Sequence, residues 1–202
     1  MGLWSYLLGK RNARIGDRAA LQRFLQTRAN LVAQTTLYGY LRTRAGMRYP
    51  QLFDDEVFVR SINVAKWQLW LACLADLAVF TGGLLASRSN ARPEAIGELM
   101  CAVVEAVLEG NGIPADAGSD FASGAQQVRA RLALCDWASV PDDDTPFFES
   151  PAALVRYAPI LEELMQLDAP IVRNSVRFGW QEIRRELRRD LDAAAVLGTS
   201  SS

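Results

Sequence analysis

Charged groups set among apolar ones are the residues of this chain best placed to do chemistry. At 100° per residue, Arg28 falls in the middle of the stripe of Leu21, Phe24, Leu25 and Val32. Asp76 shares a direction with Ile62, Leu69, Cys73 and Phe80, and Lys66 lies close to it. A buried charge without a partner costs several kcal/mol, so each of these groups needs an opposite charge or solvent. The pattern predicts that Arg28 pairs with Asp76 across the first two long helices. That pair reads either as a structural bridge that sets helix register or, with Lys66, as the polar floor of a ligand cleft.

Other reactive types support less. The chain has no histidine, which removes the usual neutral-pH base, the usual partner of a serine or cysteine nucleophile, and the commonest transition-metal ligand. Neither G-x-S-x-G nor S-x-x-K occurs, and no glycine-rich phosphate loop is present. Cys73, Cys101 and Cys135 are widely spaced without a C-x-x-C pair, and read as buried free thiols in a reducing compartment. Asp142, Asp143 and Asp144 carry oxygen ligands but lack EF-hand spacing, and read as a solvated acidic loop. Glu162 and Glu163 are adjacent, hence about 100° apart on a helix, which is poor geometry for one metal. No catalytic residue, metal or cofactor is assigned.

Two segments favour binding. Leu3, Trp4, Leu7 and Leu8 precede Lys10 and Arg11, a combination suited to a short membrane-surface anchor or to docking on the protein's own core. The charges follow the apolar stretch and no A-x-A-like site is present, so it does not read as a secretory signal. Near the other end, Arg173, Arg177, Arg184, Arg185, Arg188 and Arg189 are interleaved with Glu182, Glu186, Asp190 and Asp192. With the acids offsetting the arginines, and a net charge of −1, no nucleic-acid partner is expected.

The elements that carry these residues are all helical. A chain of 202 residues, half of them apolar, suits one domain with its own core. Asp17 caps a first helix that stops at Gly46, and Asp54 or Asp55 caps a central apolar helix over about 55–86, loosened at Gly82-Gly83. Pro93 opens a third helix to Gly110, and a fourth runs from about Asp120 to Trp137. Ser150 and Pro151 read as a cap and first position, and Pro159 and Pro170 divide the remainder into short helices and a final one over about 168–195. No strand pattern appears. The expected fold is an all-α, single-domain bundle of five or six helices around the central one, with 1–16 as an apolar-basic segment, 17–197 as the helical domain and 198–202 as a disordered tail.

Trp67 to Ala86 is long enough to span a bilayer, with Gln68, Asp76 and Thr81 as its polar residues. Asp76 at the bilayer centre would cost about 2.5–3.5 kcal/mol. A helix apolar on nearly every face is also what the middle of a bundle requires, and the amphipathic neighbours supply matching stripes.

The stretch LVAQTTLYGYLRTR (31–44), followed by the Trp- and Leu-rich central helix, resembles the ubiquinol–cytochrome c chaperone family, mainly over residues 31–80. That resemblance implies a helical assembly factor working at a membrane surface. The chain is also similar to small bacterial helical proteins that carry an esterase label, a label the missing nucleophile elbow does not support. The leading expectation is a non-enzymatic helical interaction protein, an assembly factor or chaperone at the inner membrane surface. It would be cytoplasmic or peripheral at that membrane, with a protein partner. The alternatives are a small enzyme or ligand carrier with an interhelical polar cleft (a small-molecule ligand at Arg28, Lys66 and Asp76) and a subunit of a membrane complex.

Overall fold

The computed structural model describes residues 14–198. Among these residues seven α-helices follow in order: α1 (Arg18–Ala45), α2 (Glu56–Arg88), α3 (Pro93–Asn111), α4 (Phe121–Ala133), α5 (Glu149–Tyr157), α6 (Glu162–Asp190) and α7 (Ala193–Leu197). Six of them are nine residues or longer, and the last is a five-residue turn. Among the described residues no strand forms, only an isolated parallel bridge between Ile15 and Leu191. The expected all-α bundle around one central apolar helix is the fold.

Local chemistry sets the ends. The Asp17 carboxylate accepts from the Ala20 amide at 2.6 Å, and α1 stops where Gly46 takes a φ of 54° that a side chain would resist. Asp55 accepts from the Val57 and Phe58 amides to open α2. From Gln68 through Leu85 every residue of α2 is buried. A helix apolar all round is stable in water only if other helices surround it, and α1, α3, α4 and α5 do so. The helix is long and apolar enough to cross a bilayer, yet 89% of its most apolar stretch lies inside the bundle.

Three local expectations need correction. Gly82 and Gly83 do not loosen α2, which continues unbroken to Arg88. They make room instead: a Cβ at Gly82 would lie 2.2 Å from the Trp137 ring, and one at Gly83 would lie 2.5 Å from Val140. The fourth helix ends at Ala133 rather than Trp137, because Trp137 leaves the helix in a short 3-10 turn and wedges between Gly82 and Gly97. Pro170 does not open the last long helix. It sits inside α6, at an exposed position where the carbonyl it leaves unpaired is near solvent. Leu191 then breaks the helix, because the Ile15 backbone bonds to Asp190 and Asp192 there.

Candidate functional site

The densest polar arrangement in the interior is centred on Asp76, midway along α2 and 0% exposed. Its Oδ1 accepts from Arg131 Nη1 at 2.6 Å and from the Glu149 amide at 3.2 Å. Its Oδ2 accepts from the Ser150 amide at 2.8 Å and the Ser150 hydroxyl at 2.6 Å. The amides belong to the first turn of α5, so Asp76 caps that helix from across the core, placing a carboxylate at its positive end. Ser150, expected as that cap, is itself a donor to the real one. Trp180 of α6 donates its indole N–H to the Ser150 hydroxyl at 3.0 Å, which ties a fourth helix to the centre, after α2, α4 and α5. Arg131 also donates to the Pro146 carbonyl, pairs with Glu149 at 3.2 Å, and lies 4.4 Å from the Phe148 ring centroid.

Electrostatically this is a satisfied knot. Burial pushes Asp76 above the usual carboxylate range, while Arg131 and the Ser150 donors pull it back. Burial raises Glu149 too; Arg131 opposes the shift and the Asp76 charge adds to it. Burial, then the Asp76 charge, hold Cys73 well above its ordinary value, so it stays a thiol. Ser150 hydrogen-bonds a carboxylate, as an activated serine would, but has no exposed surface on which to meet an ester. Cys135 is half-buried and Cys101 is exposed, so only Cys73 matches the expectation of buried thiols.

The three residues expected to share a cleft are held apart. Arg28 does not pair with Asp76: its Nε donates to Glu186 Oε2 at 2.7 Å, joining α1 to α6. Glu186, between Ile183 and Leu187, is the acid that faces the Arg28 side of α1, whereas Asp76 faces α4 and α5. Lys66 pairs with Asp116 at 2.9 Å, and Trp67 donates to the other oxygen of the same carboxylate at 2.7 Å. Glu186 is 2% exposed, and we expect Glu186→Gln to lose about 2 kcal/mol in urea denaturation, the scale of a hydrogen bond to a charged group. Arg131 and Glu149 escaped the sequence reading, and Ser150 was expected only as a helix cap. The one available signal was a charge beside the Val128–Leu132 stripe.

Two clefts flank the Asp76 centre and meet at Phe148, which is 58% exposed. One, about 330 Å³, lies between α2, α4 and α5 and is lined by Gln68, Leu71, Val128, Glu149, Ala152 and Arg156, among others. The other, about 470 Å³, is lined by Arg131, Leu134, Cys135 and Pro146. A third cleft, about 310 Å³, runs between α1 and α6; Thr36, Gly39 and Gly179 shape its floor, and Tyr40, Ile171 and Phe178 its walls. Tyr40 donates to Asp168 at 2.9 Å at its edge.

The acidic loop is solvent-exposed, as expected, and is also tied back to α6. Asp142 accepts from Arg188 Nε at 2.7 Å, and Arg188 in turn is tied to α2, because Arg88 donates to its carbonyl. Burial lowers Arg184 from its usual value, and the charges of Asp144, Asp143 and Asp142 counter that shift. The interleaved charges of α6 thus bind the molecule's own loop as well as each other, as in the Glu182–Arg185 pair. Leu3, Trp4, Leu7, Leu8, Lys10 and Arg11, the expected anchor, lie outside the described residues, as does the tail from 199 on.

No protein-family model, curated protein or solved structure matches this chain.

Proposed function

We propose that this chain is a non-enzymatic interaction protein that receives a partner protein along the α1–α6 face, in the manner of an assembly factor or chaperone at the inner membrane surface. The observation that carries the reading is the pair Ile171 and Phe178, 73% and 72% exposed along the α6 wall of the α1–α6 cleft. Leu167 extends the same stripe of α6 and is 74% exposed. Contiguous exposed apolar residues along a groove are what an amphipathic helix of a partner docks onto, with anchors at helical spacing. Small residues in the floor allow a helix backbone to come close.

Ile171→Asp combined with Phe178→Asp is expected to leave the helical spectrum and melting temperature unchanged. It should also remove whichever protein co-purifies with the wild-type chain at native expression. Undiminished recovery of that protein would count against the reading. Deleting Met1–Arg11 tests the membrane part: the protein should move from the membrane to the soluble fraction, and unchanged fractionation would contradict the anchor.

A further inference from the structure

The cleft between α2, α4 and α5 has the makings of a small-molecule site. It lies on a different face from the one proposed for a partner. Helix α4 runs alongside α2 in the same direction, with Gly124 level with Gln68 and Arg131 level with Asp76. Helix α5 runs back the other way, from Ser150 at Asp76 to Arg156 and Tyr157 near Gln68. The cleft is therefore about 12 Å long by helical rise, with Gln68 and Arg156 at one end and Phe148 at the other.

Its chemistry is uneven along that length. Gln68 is 6% exposed, lines the cleft, and its side-chain Nε2 has no hydrogen-bond partner among the described residues. Leaving such a donor unpaired in the interior costs about 1–3 kcal/mol, which an acceptor in the cleft would recover. Arg156 is exposed and lies 5.1 Å from the Tyr157 ring centroid, with no carboxylate paired to it among the described residues. Glu149, at the far end, has its charge met by Arg131. Between the ends the walls are Leu71, Ala72, Val128, Ala152 and Ala153. The volume of about 330 Å³ is at the small end of ligand pockets.

We propose that this cleft binds a monocarboxylate with an unbranched apolar tail, the carboxylate held by Arg156 and Gln68 and the tail laid along Leu71, Val128 and Ala152 toward Phe148. Guanidinium and amide N–H groups offer donors and no acceptor competing for the carboxylate, and the guanidinium can grip it through two parallel bonds. An ammonium head of the same length would meet the like charge of Arg156 at that end, with the Gln68 carbonyl oxygen as its side-chain acceptor.

The test is calorimetric titration of the full chain with sodium octanoate, with octylammonium chloride as the control. Octanoate should bind saturably at one site, and octylammonium at least about tenfold more weakly. Arg156→Ala should weaken octanoate binding about tenfold or more, the scale of a lost charge-assisted bond. Ala152→Trp, at an exposed position where the fold tolerates bulk, should abolish it by filling the cleft. Circular dichroism confirms that both variants remain folded. Absence of saturable octanoate heat, equal affinity for octylammonium, or unweakened binding by either variant overturns the assignment.

Discussion

Asp76→Ala is expected to cost about 3–5 kcal/mol in folding stability, the range measured when one member of a buried ion pair is removed. The loss has two parts. Arg131, whose side chain is only 14% exposed, keeps Glu149 but loses its closest counter-charge. The Glu149 and Ser150 amides and the Ser150 hydroxyl lose their acceptor at the start of α5, an effect like deletion of a helix cap. Urea denaturation followed by circular dichroism measures it, and a loss under about 1 kcal/mol would show that the knot is not structural. Asp76→Asn keeps the shape but turns an amide N–H₂ toward the Arg131 guanidinium or the Ser150 amide, which only donate, so it too should destabilise.

The pH dependence follows from burial. Asp76 and Glu149 both have folded-state values raised above their unfolded ones. The native chain therefore holds their protons to higher pH than the unfolded chain does. The stability gained through those protons is fully present below the unfolded values, about 4, and is lost as pH rises through the folded values. Glu105 and Asp116, held low chiefly by Arg129 and Lys66, act with the opposite sign, so their contribution is lost as pH falls. The wild type minus Asp76→Asn difference isolates the Asp76 part of the first effect, and it should shrink as pH rises from about 4 toward neutrality. A difference that grows with pH would contradict it.

The second large effect is expected at Gly82. By helix propensity alone Gly82→Ala should stabilise α2 by about 1 kcal/mol. The new Cβ would lie 2.2 Å from Trp137, and the atoms in its way belong to a ring wedged against two helices. Either α2 and the 3-10 turn separate, at the cost of overpacking, or Trp137 is expelled and its burial lost; these cost about 1–3 and about 3–5 kcal/mol respectively. We expect a net loss of about 2–3 kcal/mol, visible as a lower melting temperature and altered Trp fluorescence. Gly39→Ala is the contrasting case: nothing lies within 4 Å of its Cβ, so the propensity gain should survive. A stabilised Gly82→Ala would mean that Trp137 is not held in this wedge.

Much of the fold was legible because its signals are local. Asp17, Gly46, Asp55 and Pro93 act within a turn of their own positions, and all four mark the ends expected of them. Where an expectation missed, the deciding partner lay far along the chain. Trp137 reads as helical until Gly82 and Gly97 offer it a slot. Pro170 reads as a boundary until an exposed position lets the helix pass through it. The candidate site was half legible. Asp76 stood out as a carboxylate in an apolar helix, but its partner depends on which helix faces it. Charge patterns along one helix give a direction around that helix and not the neighbour found there.

The sequence by itself determined that the chain is helical, that one helix apolar on every side must be enclosed, and that Arg28, Lys66 and Asp76 each require a partner. Periodicity, capping and desolvation act on the chain wherever it folds. Only the tertiary structure decided the pairings: Arg28 with Glu186, Lys66 with Asp116, and Asp76 with Arg131 and the first turn of α5. It also decided which apolar residues stay outside, leaving Ile171 and Phe178 beside a cleft while Val172 and Val176 of the same helix are buried. The physical reason is that helix–helix contacts join residues as far as 158 positions apart, and which of several matching faces and charges meet depends on how the whole bundle packs.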